Sequence, residues 1–171
     1  MKKLFLLLFM GVISTSLFAQ KGHNQASIGA EVGLPTGSVS NSLNLGFGGT
    51  AKGLYGVGDA GQVGFTLGFI RYGFDGAGSG VSAGMNVIPI MPGYRHHFDN
   101  LYAEGQVGLA IVKSSFNYGG YSASASTTNA SIGIGGGYLY ENFDISLRYQ
   151  GYGTGFGTLG LRVAYNFSLN I

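Results

Sequence analysis

The sequence predicts an all-β protein: an eight-stranded antiparallel, up-and-down β-barrel that spans a membrane. Apolar and polar residues alternate with period two over segments of about ten residues, the length that a tilted membrane-spanning strand needs. Charged residues make up 9% of the 171 residues, against about 25% in an average soluble domain. Short and long connections alternate along the chain, as they do in bacterial outer-membrane barrels.

The N-terminus predicts a secretory signal peptide over residues 1–19. Lys2 and Lys3 form a positive start, an uncharged apolar stretch follows, and Ala19 precedes the expected cleavage point. That stretch is shorter than the roughly 20 residues of a membrane-spanning helix, which disfavours an uncleaved anchor. The chain has no cysteine, so we expect no lipid anchor and no disulfide. Residues 20–171 are then the barrel domain, exported to the outer membrane of a Gram-negative bacterium.

The first three strands are predicted at residues 26–34, 43–52 and 63–69. In each of them apolar residues occupy one face, which we assign to lipid. Glycine, Ser, Thr or charged residues occupy the other face, which we assign to the interior, with Glu31 and Lys52 among them.

The fourth strand, at residues 85–97, is the least regular. It contains Pro89 and Pro92, which cannot donate to a sheet ladder. We therefore expect a β-bulge in this strand.

The remaining four strands alternate cleanly to the end of the chain. They are predicted at residues 101–111, 129–138, 143–150 and 159–171. The interior faces carry charged side chains again, from Glu104 in the fifth strand to Arg162 in the last.

The connections predict two different rims. Only residues 98–100 and 141–142 follow strands four and six, whereas glycine- and serine-rich loops at about 73–84 and 114–126 follow strands three and five. Aromatic residues near the strand ends predict two lipid-interface girdles. The girdle at the short-turn rim contains Tyr55, Phe98, Tyr138, Tyr140, Phe143, Tyr165 and Phe167, and the girdle at the other rim contains Phe69, Tyr72, Phe74, Tyr149, Tyr152 and Phe156.

Four segments resemble the small outer-membrane β-barrel proteins of Bacteroidetes-type bacteria, which are related to OmpA/OmpX-like barrels. These segments are the processing region at 16–20 and residues 88–95, 102–108 and 159–167. The resemblance implies an eight-stranded barrel in outer-membrane lipid, inserted by the β-barrel assembly machinery and monomeric. The chain departs from the family in ending on Ile171 instead of an aromatic residue.

The charged residues on the interior faces predict a salt-bridged network. An eight-stranded barrel is just wide enough for side chains to fill it, and an unpaired buried charge costs several kcal/mol. We expect Arg162 to be flanked by Glu31 and Arg148. The predicted network comprises Glu31, Lys52, Glu104, Asp144, Arg148 and Arg162.

The outer loops offer a second set of candidate residues. Aromatic side chains among glycines and serines could contact a surface ligand or a partner protein, although the sequence favours an interface girdle with disordered loop tips. The candidates are Phe74, Asp75, Phe116, Tyr118 and Tyr121.

No catalytic, cofactor or metal site is predicted. His96 and His97 are adjacent in a strand, so they point to opposite faces, and they fall at the short-turn end, away from the outer rim where a barrel enzyme would gather its residues. The G-x-G-x-x-G match at 155–160 precedes no helix. Without Lys2 and Lys3 the basic and acidic residues balance, which disfavours nucleic acid.

The predicted function is therefore that of a non-enzymatic barrel with a structural or surface-interaction role and a polar, closed interior. A narrow channel or small-solute-binding barrel is the first alternative. A soluble secreted β-protein is the second.

Overall fold

The computed structural model describes residues 24–38, 40–74, 81–119, 121–153 and 155–169. The predicted signal peptide at residues 1–19 lies outside them. Within these ranges no helix is long and apolar enough to cross a membrane.

Eight strands close into one barrel in chain order, and each pairs antiparallel with its neighbours. They are β1 (Asn24–Gly37), β2 (Gly46–Val57), β3 (Gly61–Gly73), β4 (Val81–Phe98), β5 (Leu101–Tyr118), β6 (Tyr121–Tyr140), β7 (Phe143–Gly151) and β8 (Phe156–Leu169). Pairing of β1 with β8, from Asn24↔Leu169 to Gly37↔Phe156, closes the sheet. Closure satisfies the backbone groups that an open edge would expose to hydrocarbon. The predicted up-and-down barrel is confirmed.

The period-two pattern of the sequence separates exposed apolar side chains on the outer face of the barrel from buried side chains on its inner face. On β8, Leu161 and Val163 are 50% and 47% exposed, whereas Arg162 between them is 2% exposed. Side chains alternate in this way because successive Cβ atoms of a strand point to opposite faces. The wall therefore presents a continuous band of large apolar side chains, a surface suited to lipid.

The two rims differ in their connections. At the short-turn rim the strands are joined by residues 58–60, Asp99-Asn100 and Glu141-Asn142. At the opposite rim, called here the long-loop rim, the chain between β1 and β2 includes a single 3-10 turn at Ser40–Ser42. There Leu43 forms an isolated bridge with Phe74, which draws the first two long connections together.

The predicted loop at residues 114–126 is wrong. Residues 114–118 continue β5 and residues 121–126 begin β6, and Tyr118 pairs with Tyr121 across the hairpin. Serine, Thr and Tyr fit a strand as well as a loop, so composition alone could not separate the two.

Three neighbouring strands, β4, β5 and β6, extend beyond the rest of the barrel at the long-loop rim. β4, β5 and β6 contain 18, 18 and 20 residues, whereas β7 contains 9. Their ends, residues 81–84, 115–118 and 121–124, are called here the projecting sheet. β7 pairs with β6 only from Ile132 to Tyr140, so within the described chain residues 121–131 of β6 have a strand neighbour on one side alone.

The expected β-bulge in β4 is also wrong. Pro89 pairs with Ala110 of β5 but not with β3, and Pro92 pairs with Phe65 of β3 but not with β5. Each proline interrupts one ladder only, and the register with the other neighbour continues unchanged through it. Inward and outward faces therefore stay in phase along all of β4.

Candidate functional site in the barrel interior

The half of the interior nearer the short turns holds a network of seven charged side chains. None is more than 8% exposed. Six of the eight strands contribute, and every member lies on the inward face that the alternation defines. The network comprises Glu31, Lys52, Arg95, Glu104, Asp144, Arg148 and Arg162. All six residues predicted for the interior are in it, together with Arg95.

Glu104 on β5 joins two basic residues from other strands. The Nζ atom of Lys52 lies 2.5 Å from its Oε1 atom, and the Nη2 atom of Arg95 lies 2.7 Å from its Oε2 atom. Gln106 adds a hydrogen bond from Nε2 to Oε1 at 2.7 Å. Both carboxylate oxygens of Glu104 are thus bound by charged donors.

Asp144 on β7 is shared by two arginines. Its Oδ2 atom lies 3.1 Å from Nη2 of Arg95 and 3.4 Å from Nη1 of Arg162. The hydroxyl of Tyr102 donates to Oδ1 at 2.6 Å. The guanidinium carbon of Arg95 also lies 3.7 Å from the ring centroid of Tyr102, a cation–π contact.

Glu31 on β1 pairs with Arg148 on β7. The Nη2 atom of Arg148 lies 2.8 Å from both carboxylate oxygens, and Nη1 donates to Gln106 at 3.1 Å. Gln106 therefore connects this pair to Glu104. Gly160 gives Glu31 its room, because a Cβ atom there would lie 2.6 Å from Oε1.

Arg162 is placed differently from the prediction. Glu31 is opposite Arg162 in the β1–β8 register, yet Glu31 forms its ion pair with Arg148. The guanidinium of Arg162 instead donates to Thr50 at 2.6 Å and to Ser27 at 2.8 Å, besides Asp144. A long arginine side chain reaches across the lumen, so strand neighbours need not be ionic partners.

Sequence reasoning missed Arg95, the residue that connects Glu104 to Asp144. Its side chain is 0% exposed. Its inward direction follows from the unbroken register of β4, which the expected bulge had left undefined. The sequence did contain a signal for the inward direction of Arg95. Arg95 is two, four and six residues from Gly93, Met91 and Pro89, so in an unbroken strand all four lie on the same face.

The half of the interior nearer the long-loop rim is largely apolar, with Gln150 and Thr158 as buried polar residues, and the sequence had not indicated this. Tyr72, Tyr152 and Phe156 were predicted for the lipid-interface girdle at this rim but are 0%, 0% and 8% exposed. The prediction was wrong for these three because Tyr72 and Phe156 fall on the inward phase of β3 and β8, and Tyr152 continues the inward phase of β7 just beyond its end. They pack into the core cluster Leu43, Ile70, Tyr72, Met85, Val87, Ala110, Tyr152 and Phe156.

The predicted outer-loop contacts separate into two groups. Phe74 is half-buried and packs on the apolar core cluster, so it is not a free loop side chain. Phe116, Tyr118 and Tyr121 are 47%, 56% and 83% exposed on the projecting sheet. Asp75 lies outside the described residues.

The histidines sit near the short-turn rim, as their place in the sequence suggested. The Nε2 atom of His97 is 2.7 Å from Oε1 of Gln62 on the inward face, and Nδ1 of His96 is 3.2 Å from the hydroxyl of Tyr94 on the outward face. In the described ranges no three His, Cys, Asp or Glu side chains are grouped as a metal site would require.

The arrangement suits a rigid interior plug. Every charged group in the network has an oppositely charged or hydrogen-bonding partner, and the apolar half lies between the network and the long-loop rim. Four of the seven groups are basic and three are acidic, so the sharing of Asp144 by Arg95 and Arg162 compensates for the missing carboxylate.

Comparison with known proteins supports the fold. No protein-family model matches the chain, and no curated protein matches it. Among solved structures, the attachment invasion locus protein Ail of Yersinia pestis aligns with a TM-score of 0.66 at 22% identity, covering 86% of this chain and 100% of that one. Neisserial surface protein A aligns with a TM-score of 0.57 at 16% identity, covering 85% and 97%. The N-terminal barrel domain of Pseudomonas aeruginosa OprF aligns with 0.55 at 24%, covering 86% and 100%. The chain thus has the fold of small outer-membrane β-barrels.

Proposed function

We propose that this chain is a non-enzymatic integral outer-membrane barrel with a closed interior, which acts as a contact surface outside the cell. The observation that carries the proposal is the projecting sheet, with exposed aromatic side chains on one face and a free strand edge beside them. Its immediate partners are outer-membrane lipid and, during insertion, the β-barrel assembly machinery. The proposed mature protein begins after a signal peptide at residues 1–19 and is monomeric.

The height of the apolar band supports a membrane position. On the outward face of β5 the apolar residues run from Leu101 to Ile111, ending before Lys113. Ten residues at about 3.3 Å each, tilted by about 40°, rise by about 25 Å, which matches the apolar band of outer-membrane barrels. The projecting sheet then stands outside the hydrocarbon layer.

The projecting sheet offers two means of contact. Phe116, Tyr118 and Tyr121 share the face that continues the lining of the barrel, because all three lie on the inward phase of β5 and β6. Residues 121–128 of β6 present an edge whose backbone groups can pair with an extended segment of another protein. This stretch is rich in Ser, Thr and Ala and has no charge or proline to block such pairing.

The two halves of the interior support a closed barrel over the channel alternative. Ions crossing the lumen would have to displace Arg95 from Glu104 and Asp144 and then pass the apolar core cluster. We expect planar-bilayer recordings to show no stable conductance. Large, long-lived openings of the unaltered protein would favour the channel.

Cysteine labelling tests the orientation, since the chain has no cysteine of its own. A Ser122→Cys variant places a thiol on the projecting sheet, and an Asn100→Cys variant places one in a short turn. We expect a membrane-impermeant maleimide to label the first in intact cells and the second only after permeabilisation. The opposite labelling pattern would contradict the proposal, as would recovery of the protein in the soluble periplasmic fraction.

Partner contact is tested by truncating the aromatic face. A Phe116→Ser/Tyr118→Ser/Tyr121→Ser variant should keep heat-modifiable migration on SDS gels, because these side chains stand outside the barrel. It should reduce adhesion of expressing cells to host-cell or matrix surfaces. The matched control is Phe143→Ser/Tyr165→Ser at the short-turn rim, which removes aromatic side chains on the periplasmic side. If neither variant changes adhesion, the contact role of the aromatic face is refuted.

A further inference from the structure

The two exposed basic side chains of the described residues lie close together on the outward face. Arg71 on β3 is in register with Asn86 on β4, and Asn86 is in register with Lys113 on β5. All three fall on the outward phase of their strands, and Arg71 and Lys113 are exposed. They form one cross-strand row, called here the basic row.

The Arg71 side chain reaches over β4. Its Nη2 and Nε atoms lie 3.6 and 3.8 Å from the position that a Cβ atom would take on Gly84, the next outward position above Asn86. The backbones of β3 and β5 are about 10 Å apart, two strand spacings. Arginine and lysine side chains of this reach can both contact a group held above Asn86.

The basic row lies where the apolar part of the outer barrel surface ends on the side of the long-loop rim. Directly below it the outward residues are Phe69, Ile88 and Ile111, and at the next outward positions above it Gly73 and Gly84 carry no side chains. Lys113 is about 30 Å above the short-turn rim, just beyond the apolar band of about 25 Å, where acyl chains end and headgroups begin on the outer side.

The charge around the row is uncompensated within the described chain. The exposed acidic residues there are Asp59, Asp99 and Glu141, and all three lie in short turns at the opposite rim. The described residues form no ion pair with Arg71 or Lys113. The Oδ1 atom of Asn86, between them, is buried and has no hydrogen-bond partner there.

We propose that Arg71, Asn86 and Lys113 bind an anionic phosphate monoester on a lipid headgroup in the outer leaflet. The two cations contact the phosphate oxygens, and the orphaned acceptor of Asn86 takes a hydroxyl of the headgroup. The inference rests on the membrane position proposed above. It adds a site on the wall that is separate from the projecting sheet.

Tryptophan fluorescence can measure this binding, because the chain has no tryptophan. A Phe69→Trp variant places a reporter directly below the basic row, and a Phe143→Trp variant places one at the short-turn rim. Each is refolded into phosphatidylcholine vesicles that contain brominated phosphatidic acid or brominated phosphatidylcholine as the quencher. At about 1 kcal/mol for each cation near the membrane surface, phosphatidic acid should be preferred about 30-fold at Phe69→Trp and hardly at Phe143→Trp.

Variants of the row separate a local site from net charge. In the Phe69→Trp background, Arg71→Gln and Lys113→Gln should each reduce the preference about fivefold, and the two together should abolish it. The control combines Arg71→Gln and Lys113→Gln with Asn100→Lys and Asp99→Asn, which restore the original net charge at the opposite rim. That control should also lack the preference, and a preference that persists in it would refute the proposal.

Two further results would overturn the inference in different ways. Equal quenching by the two lipids would show that the row does not prefer an anionic phosphate monoester to the zwitterionic phosphodiester of phosphatidylcholine, which would refute the proposed site. Loss of the preference in buffer containing inorganic phosphate, but not in chloride buffer of equal ionic strength, would assign the row to a free anion. A protein that fails to insert into vesicles contradicts the proposed membrane position itself, whereas an inserted protein without the preference contradicts only the lipid site.

Discussion

Arg95 and Asp144 meet inside the barrel, with Nη2 of the arginine 3.1 Å from Oδ2 of the aspartate. They are 49 residues apart in sequence and come from β4 and β7, which are not neighbours in the sheet. Their ion pair therefore crosses the lumen. Since Asp144 also binds Arg162 and Tyr102, a single carboxylate ties three strands besides its own.

Replacing Asp144 with Asn should strongly destabilise the barrel. The substitution keeps the size of the side chain but leaves Arg95 and Arg162 without their shared negative charge. Removing one partner of a buried ion pair costs about 3–5 kcal/mol. Urea unfolding in vesicles, followed by heat-modifiable migration, measures the loss of free energy of unfolding. The control Asp59→Asn removes an exposed carboxylate and should change that free energy by less than about 0.5 kcal/mol; equal effects of the two substitutions would contradict the prediction.

Glu31 and Arg148 should show coupled stabilities. Each single substitution, Glu31→Gln or Arg148→Gln, leaves one buried charge without its partner. The double substitution removes both charges, so it leaves none unpaired. We expect the double variant to be more stable than the sum of the two single effects predicts, by about 1–3 kcal/mol. A double-mutant cycle from urea unfolding gives this coupling free energy. If the two single changes in the free energy of unfolding add up to that of the double variant, the Glu31–Arg148 pair does not stabilise the barrel.

Two glycines of β2 should respond oppositely to substitution by alanine. A Cβ atom on Gly46 would collide with the ring of buried Tyr72, whereas a Cβ atom on Gly53 would meet no atom within 4 Å. Gly46→Ala should lower the free energy of unfolding by about 1–3 kcal/mol through overpacking. Gly53→Ala should leave it unchanged or raise it slightly, because glycine is a poor strand residue. The comparison fails if both variants unfold at the same urea concentration.

Replacing Glu141 should stabilise the turn between β6 and β7. Glu141 has a φ of 52°, in the left-handed region that costs most L-residues about 1–2 kcal/mol. Glu141→Asn should raise the free energy of unfolding by about 0.5–1 kcal/mol, because asparagine tolerates this region better. Glu141→Gln removes the same charge but keeps the strain, so it should have no such effect. A gain of equal size in both variants would attribute the effect to charge.

The sequence predicted the wall of the barrel better than its ends. Faces could be assigned from Glu31 to Arg162 because a period of two leaves only one way to place apolar side chains against lipid. Strand ends were less certain. Residues 114–126 have a composition that is compatible with a loop, and only their pairing across the hairpin identifies them as strands.

The sequence predicted which charged side chains lie in the interior, but it did not predict which of them form ion pairs. Alternation alone places Lys52, Glu104 and Asp144 inside. It does not say that Glu31 pairs with Arg148 while Arg162 turns to Asp144, because such contacts cross the lumen between strands that are distant in the sheet. Arg95 was missed for a related reason: its direction depends on whether Pro89 and Pro92 shift the register, and only their two neighbouring ladders decide that.

The sequence by itself determined the number of strands, the lipid-facing surface and the inward direction of six charged side chains, since all of these follow from local alternation and chain length. Tertiary structure decided the rest. It placed Tyr72, Tyr152 and Phe156 in an apolar core, and it aligned Arg71 and Lys113 on either side of Asn86 through the register of three strands. Such contacts depend on the closure and register of the whole barrel, which no single segment of the sequence contains.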